Sequence, residues 1–283
     1  MDISFEHFIQ GFQDTQLFIQ KWSPASPAGT LIVTHGQGEH SGSYQRVLAA
    51  LRPLSLEVYA WDLRGHGRSE GLRGYTQSFD DYCRDFEIII KFVLSDRNLK
   101  KKPLILLSHS MGATIQLKTL IDNSQFEIRA QVVCAPLLGL ALAVPKIKET
   151  AASILDFIAP QMTLWNEIRN QQLTRDPLVI AEFQKDSLRH DRISSGVYLG
   201  FVQAFDYIKQ RTEKITTPSL WQIPEVDEIA SSAASKLIYK DLNQDRHQMI
   251  TYKDRKHELY NDLGREEVFE DLRNFLKSFL VAK

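Results

Sequence analysis

Only two cysteines occur in 283 residues, Cys83 and Cys134, and both sit inside apparently regular segments. That argues against a disulfide scaffold and for free, buried thiols in a reducing compartment, so a cytoplasmic location is expected. No apolar stretch approaches the roughly 20 residues of a transmembrane helix. The opening Met1-Asp2-Ile3-Ser4-Phe5-Glu6 lacks a basic region followed by an apolar one, so no secretory signal is expected there. Neither sign of charge dominates: 34 Lys and Arg against 35 Asp and Glu leave a formal charge of −1. This gives no electrostatic case for nucleic acid or for tight binding to anionic lipid. No His, Cys, Asp or Glu spacing suits a metal site, and no cofactor is called for.

The length allows one large α/β domain or two smaller ones, and 43% hydrophobic residues suffice for a sizeable core. Residues 11–22 alternate like a hairpin ending in a strand at Gln16–Trp22, before the Ser23-Pro24-Ala25-Ser26-Pro27 break. Short apolar runs follow at 30–34, 57–61, 104–107, 130–134 and 219–222, each of a length that suits a strand covered on both faces, and 248–252 also reads as a strand. Helical stripes separate them. Phe79, Tyr82, Phe86, Ile89 and Val93 share one face behind a Ser78 cap, and Val268, Leu272, Phe275 and Phe279 line a closing helix. Alternation of this kind predicts a mostly parallel central sheet with helices on both faces. Residues 136–206 break it, with an apolar segment 137–144 and an amphipathic helix carrying Ile147, Ala151, Ile154, Leu155 and Ile158 on one side. The expected arrangement is a helical cap, 136–206, inserted into a core of 1–135 and 207–283; the plainer alternative is further helical layer.

Residues 108–112, Ser-His-Ser-Met-Gly, directly follow an apolar strand and lead into a helical pattern. Small residues around a central serine at a tight strand-to-helix turn make a nucleophile elbow, although a serine there also caps a helix well. Activating the Ser110 hydroxyl needs a base and a third group to orient it. Asp227 falls in the loop after the 220–223 strand and His257 in the loop after the 248–252 strand. Neighbouring parallel strands end at one edge of a sheet, so these residues can meet Ser110 there. Glu225 is the nearer rival acid, while Asp241 and Asp245 lie in a polar stretch that looks solvated. His109 is expected to pack under the elbow, and His7, His190 and His247 to be surface or structural. Backbone N–H donors for an oxyanion are expected at Met111, next after the serine, and at Gln37 in His35-Gly36-Gln37-Gly38, where glycines let the loop turn its N–H groups inward.

Together, His35-Gly36-Gln37-Gly38-Glu39-His40-Ser41-Gly42, the stretch Asp62-Leu63-Arg64-Gly65-His66-Gly67-Arg68-Ser69-Glu70-Gly71, and Ser110-Met111-Gly112 closely resemble the monoacylglycerol lipase and lysophospholipase branch of the α/β-hydrolases. The likeness runs through Leu173-Thr174-Arg175-Asp176 to the Asp227 and His257 loops, nearly the whole chain. Ser108 stands where glycine is usual, and Pro224 where glycine often precedes the acid. The resemblance implies an α/β-hydrolase fold and hydrolysis of single-chain lipid esters, a monoacylglycerol or lysophospholipid, through an acyl-enzyme on Ser110. Leu137, Leu140 and Ile154 are the expected acyl-chain contacts, and a cap face is a candidate for peripheral contact with a membrane. A small-ester carboxylesterase, another hydrolase of the same fold, and a non-catalytic receptor on that fold are the alternatives.

Overall fold

A computed structural model describes residues 3–95, 102–142 and 145–280. Among the described residues ten strands are laid down in chain order: β1 (Ile3–Gln10), β2 (Gln16–Trp22), β3 (Gly29–Thr34), β4 (Leu56–Trp61), β5 (Leu104–His109), β6 (Ala130–Cys134), β7 (Thr163–Trp165), β8 (Arg192–Ser194), β9 (Ser219–Pro224) and β10 (His247–Tyr252). Eight of them form one sheet in the order β1-β2-β4-β3-β5-β6-β9-β10, while β7 and β8 pair as a separate antiparallel ribbon. Only β2 runs against its neighbours β1 and β4; every other pairing in the large sheet is parallel.

The short apolar runs become central strands because both of their faces are covered. Leu31, Val33, Ile105 and Leu107 point to one side, where α1 (Gln45–Leu51) and α9 (Arg265–Leu280) pack through Val47, Leu51, Val268 and Leu272. Ile32, Leu104 and Leu106 point to the other, under α2 (Phe79–Ser95) and α3 (Met111–Asp122). Ser78 caps α2 as its sequence suggests: its hydroxyl accepts the N–H of Asp80 at 3.2 Å, and its own N–H reaches Asp81 Oδ2 at 3.0 Å. Cys83 and Cys134 are both free and buried.

The hairpin is longer than residues 11–22, since its first strand begins at Ile3. In β1 polar residues interrupt the apolar ones along a sheet edge, which erases the hydrophobic run that marks a central strand. Between β6 and β9 the chain builds α4 (Lys146–Ile158), α5 (Asn170–Leu173), α6 (Pro177–Lys185) and α7 (Ser195–Lys209), with the β7–β8 ribbon among them. That ribbon corrects the expectation of a wholly helical stretch; strands of three residues are too short to leave a period in the sequence. Helix α7 buries Val197, Phe201 and Ala204 in the same cluster as α2 and α3, so it belongs as much to the core layer as to the insertion. Ala143 and Val144, the end of the apolar segment 137–144, lie outside the described residues.

Chain order reverses between β3 and β5: from β3 the chain passes to β4 on one side and then to β5 on the other. The loops leaving β3 and β5 therefore flank a crevice at the sheet's C-terminal edge, where ligands bind in open α/β sheets. Gly112 lets α3 seat there. A Cβ at this position would lie 2.3 Å from the carbonyl oxygen of His35 and 2.7 Å from that of Thr34, both backbone atoms. Gly112→Ala is expected to cost about 1–3 kcal/mol as an overpacking change, read as a lowered Tm in a thermal melt; an unchanged Tm would mean that the helix is free to shift.

Candidate active site

Ser110 occupies the turn between β5 and α3 with φ 52° and ψ −121°, a left-handed conformation that a serine adopts only when its surroundings enforce it. They do. The Ser110 N–H donates to the Cys134 carbonyl at 3.1 Å, and its own carbonyl accepts from Ala113 at 3.0 Å and Leu137 at 3.1 Å. The side chain is thereby pushed up from the sheet edge. Ser108 fits in place of glycine because its hydroxyl lies against β6, 3.4 Å from the Val132 carbonyl.

His257 Nε2 lies 2.8 Å from Ser110 Oγ, and His257 Nδ1 lies 2.7 Å from Asp227 Oδ2. The other Asp227 oxygen accepts the N–H groups of Ile229 at 2.8 Å and Ala230 at 3.0 Å, which fixes the carboxylate plane. Burial alone would raise the Asp227 carboxyl; the imidazole of His257 and these two N–H groups outweigh it and hold the group below the usual carboxylate range. Pro224 does not disturb this loop. The β6 pairing of β9 ends at Gln222, so the N–H that proline lacks has no ladder partner to lose, and Glu225 resumes bonding to Tyr252 at 3.0 Å. Glu225 is exposed and faces Lys236 at 3.8 Å, away from the histidine, and Asp241 and Asp245 are exposed too.

Gln37 and Met111 line the opposite side of the serine. Gly36 comes so close to Ser110 that a Cβ on it would sit 2.9 Å from the serine's own Cβ. Among the described residues the backbone N–H groups of Gln37 and Met111 have no hydrogen-bond partner. The loop is held in place from the insertion, since Gln37 Nε2 donates to the Arg192 carbonyl at 2.6 Å and the His190 N–H donates to the Gly38 carbonyl at 3.0 Å. His190 is thus structural, as is His247, buried beside Ser219; His7 is exposed.

A cavity of about 880 Å³ opens above Ser110. Leu137 and Leu140 line it, joined by Ala151 and Leu155 of α4 and by Phe183, Ile193, Tyr198 and Phe201, which the sequence did not single out. Ile154 is not among them. It is 57% exposed on the outer face of α4, with Ile147, Phe157 and Ile158. The apolar residues of α4 span more than one face, and the stripe that reaches the cavity is the one through Ala151 and Leu155. The sequence also gave no sign of two polar contacts beside the triad, His109 to Glu39 at 2.6 Å and the ion pair Arg189–Glu258 at 2.6 Å. Their members are 70 and 69 residues apart. Among the described residues no cluster of three or more His, Cys, Asp or Glu is placed to hold a metal ion, and no helix is long and apolar enough to cross a membrane.

A mostly parallel sheet covered on both faces, with serine, histidine and aspartate in line at its C-terminal edge, defines an α/β-hydrolase. Comparison with known proteins narrows the class. The chain belongs to the Hydrolase_4 family, described as serine aminopeptidase, S33, which it matches over residues 25–264. A monoacylglycerol lipase of Mycolicibacterium smegmatis is 26% identical over 279 residues, covering 97% of this chain and 98% of that one. Human monoglyceride lipase is 28% identical over 256 residues, covering 87% and 81%. The crystal structure of Paleococcus ferrophilus monoacylglycerol lipase matches with a TM-score of 0.83 at 26% identity, covering 93% of this chain and 99% of that one. The chain also matches an uncharacterized abhydrolase domain-containing protein of Dictyostelium discoideum at 26% identity, spanning 28% of that protein's length.

Proposed function

We propose that this protein is a serine hydrolase that cleaves single-chain lipid esters, a monoacylglycerol or a lysophospholipid, by way of an acyl-enzyme on Ser110. The observation that carries the reading is the continuous hydrogen-bonded line Ser110–His257–Asp227 beneath a large cavity with apolar walls. In it His257 Nε2 takes the Ser110 proton as Oγ bonds to the ester carbonyl carbon. Asp227 stabilises the imidazolium, and the N–H groups of Gln37 and Met111 hold the oxyanion. His257 then returns the proton to the departing alcohol, and water, deprotonated by the same imidazole, releases the fatty acid. Residues 136–206 serve as the cap, and monoacylglycerol lipases among the relatives support the lipid assignment.

The family's description as serine aminopeptidases raises a second reading. A substrate's terminal ammonium would seek a carboxylate. The two buried ones that line the cavity, Glu39 and Glu258, are already taken up by His109 and Arg189. That favours the ester reading. The buried free thiols favour the cytoplasm, a placement that cell fractionation tests.

Rates on p-nitrophenyl esters of increasing chain length, beside monoacylglycerols, lysophospholipids and aminoacyl anilides, test the substrate class. Each buried CH₂ contributes about 0.8 kcal/mol, or roughly fourfold in kcat/KM, so rates should climb with length until the cavity is filled. Leu140→Asp should depress long-chain esters far more than acetate. Ile154→Asp should leave both nearly unchanged and instead weaken sedimentation with phospholipid vesicles, because the outer face of α4 is the surface we assign to peripheral lipid contact. A flat chain-length profile removes the lipid reading, and undiminished vesicle binding by Ile154→Asp removes the membrane one.

A further inference from the structure

His109, the residue between the two serines of the elbow, is buried, and both of its ring nitrogens face hydrogen-bond acceptors. Nδ1 lies 2.6 Å from Glu39 Oε1, and Nε2 lies 3.3 Å from the carbonyl oxygen of His257. A backbone carbonyl only accepts, so the proton in the second contact is on Nε2. Glu39 Oε1 already accepts the Gly36 N–H at 2.6 Å and the Tyr44 hydroxyl at 3.3 Å, so it acts as a carboxylate oxygen and the proton in the first contact is on Nδ1. An imidazole donating from both nitrogens is an imidazolium.

The surrounding charges agree. His109 is faced by Glu39 from the loop after β3, and by Glu258 and the ring of His257 from the loop after β10. Arg189 from the insertion pairs with Glu258 at 2.6 Å. Two buried carboxylates and one guanidinium leave a deficit of one positive charge, which a protonated His109 supplies. Burial alone would lower the His109 value; Glu39 and Glu258 outweigh it and raise it, while the imidazolium in turn holds Glu39 well below the usual carboxylate range.

We propose that His109 is a standing imidazolium and a positioning residue, which ties the loop bearing the Gln37 N–H to the loop bearing His257 across the base of Ser110. This rests on the reading of Ser110 and His257 as the reacting pair. Through Glu39 the ring fixes Gly36 and hence Gln37; through the His257 carbonyl it fixes the backbone of the base. A neutral ring can donate to only one of the two loops. The tie is fully present below the ordinary histidine value of about 6.5. It is lost as pH rises through the raised folded value, so both stability and turnover lose this contribution on the alkaline side.

The test begins with the unmodified protein, labelled with ¹⁵N-histidine. At pH 7, NMR is expected to show protons on both His109 nitrogens, assigned through bond from its backbone; a single ring proton overturns the proposal. His109→Gln keeps a donor for Glu39 but has neither the charge nor a second donor nitrogen for the His257 carbonyl. Its kcat should fall about 100-fold, the loss expected of an ångström-scale misplacement, with KM little changed. The alkaline limb of the wild-type kcat/KM profile should disappear. Wild-type kcat with an unmoved alkaline limb in a folded His109→Gln also overturns it. Fluorophosphonate labelling of Ser110 in the wild type separates this failure from that of the hydrolase reading, because labelling tests the nucleophile and leaves the His109 proton count aside.

Discussion

Ser110→Ala is expected to remove esterase activity by about six orders of magnitude and to abolish fluorophosphonate labelling, while the circular-dichroism spectrum and thermal melt stay close to wild type. The size follows from the geometry. Ser110 Oγ is the hydroxyl that His257 Nε2 reaches, at 2.8 Å, and a methyl in its place leaves nothing to acylate. The fold should survive because the carbonyl and N–H that lock the elbow belong to the backbone and remain in alanine. Alanine at φ 52° is strained as serine is, so the backbone strain of the turn is unchanged by the substitution. His257→Ala should lose nearly as much, and the double variant little more, since a base without a nucleophile has nothing to deprotonate. Labelling of the folded Ser110→Ala protein, or losses that multiply in the double variant, would refute the shared mechanism.

Asp227→Asn should lower kcat on the order of 10⁴-fold with KM little altered. In the native site Oδ2 accepts from His257 Nδ1, leaving Nε2 unprotonated and facing Ser110. Because Oδ1 accepts two backbone N–H groups, an asparagine would keep its carbonyl oxygen there and turn its NH₂ toward Nδ1. The imidazole would then protonate Nε2 and could not take the serine proton. Glu225→Gln, which changes an exposed group facing Lys236, should remain near wild type. If the two variants exchanged these outcomes, Glu225 would be the acid.

The sequence made the sheet legible wherever strands are covered on both faces, because burial there forces a mostly apolar run, broken only by single buried polar residues such as Glu57, Gln131 and Gln222. It failed at the margins: β1 is half solvent-facing, and β7 and β8 are too short to leave a period. The meeting of Ser110, Asp227 and His257 was legible because each lies in the loop that leaves a strand, and parallel strands deliver their C-terminal loops to one edge. Ile154 was misplaced because a one-dimensional stripe does not say which side of α4 faces the core. Glu39 stood in plain view within a glycine-rich motif, but nothing local links it to His109. Pairing of that kind is a property of the folded crevice, where burial penalises an unmatched charge.

Beyond the segment that leaves β6, which is tied to the core through Leu137, Gly139 and Ala141, the polar ties between insertion and core among the described residues gather in residues 173–194: Leu173 to Glu258, Thr174 and Arg175 to Asn261 and Asp262, Asp186 to His40, Arg189 to Glu258, His190 to Gly38, and Ser194 to Gly74. Helix α4 has no buried residue. Rate and appetite are therefore written in separate paragraphs of the chain. Substitutions on α4 can reshape the cavity wall through Ala151 and Leu155 without touching those ties, while the anchored half keeps the loops around Ser110 in register.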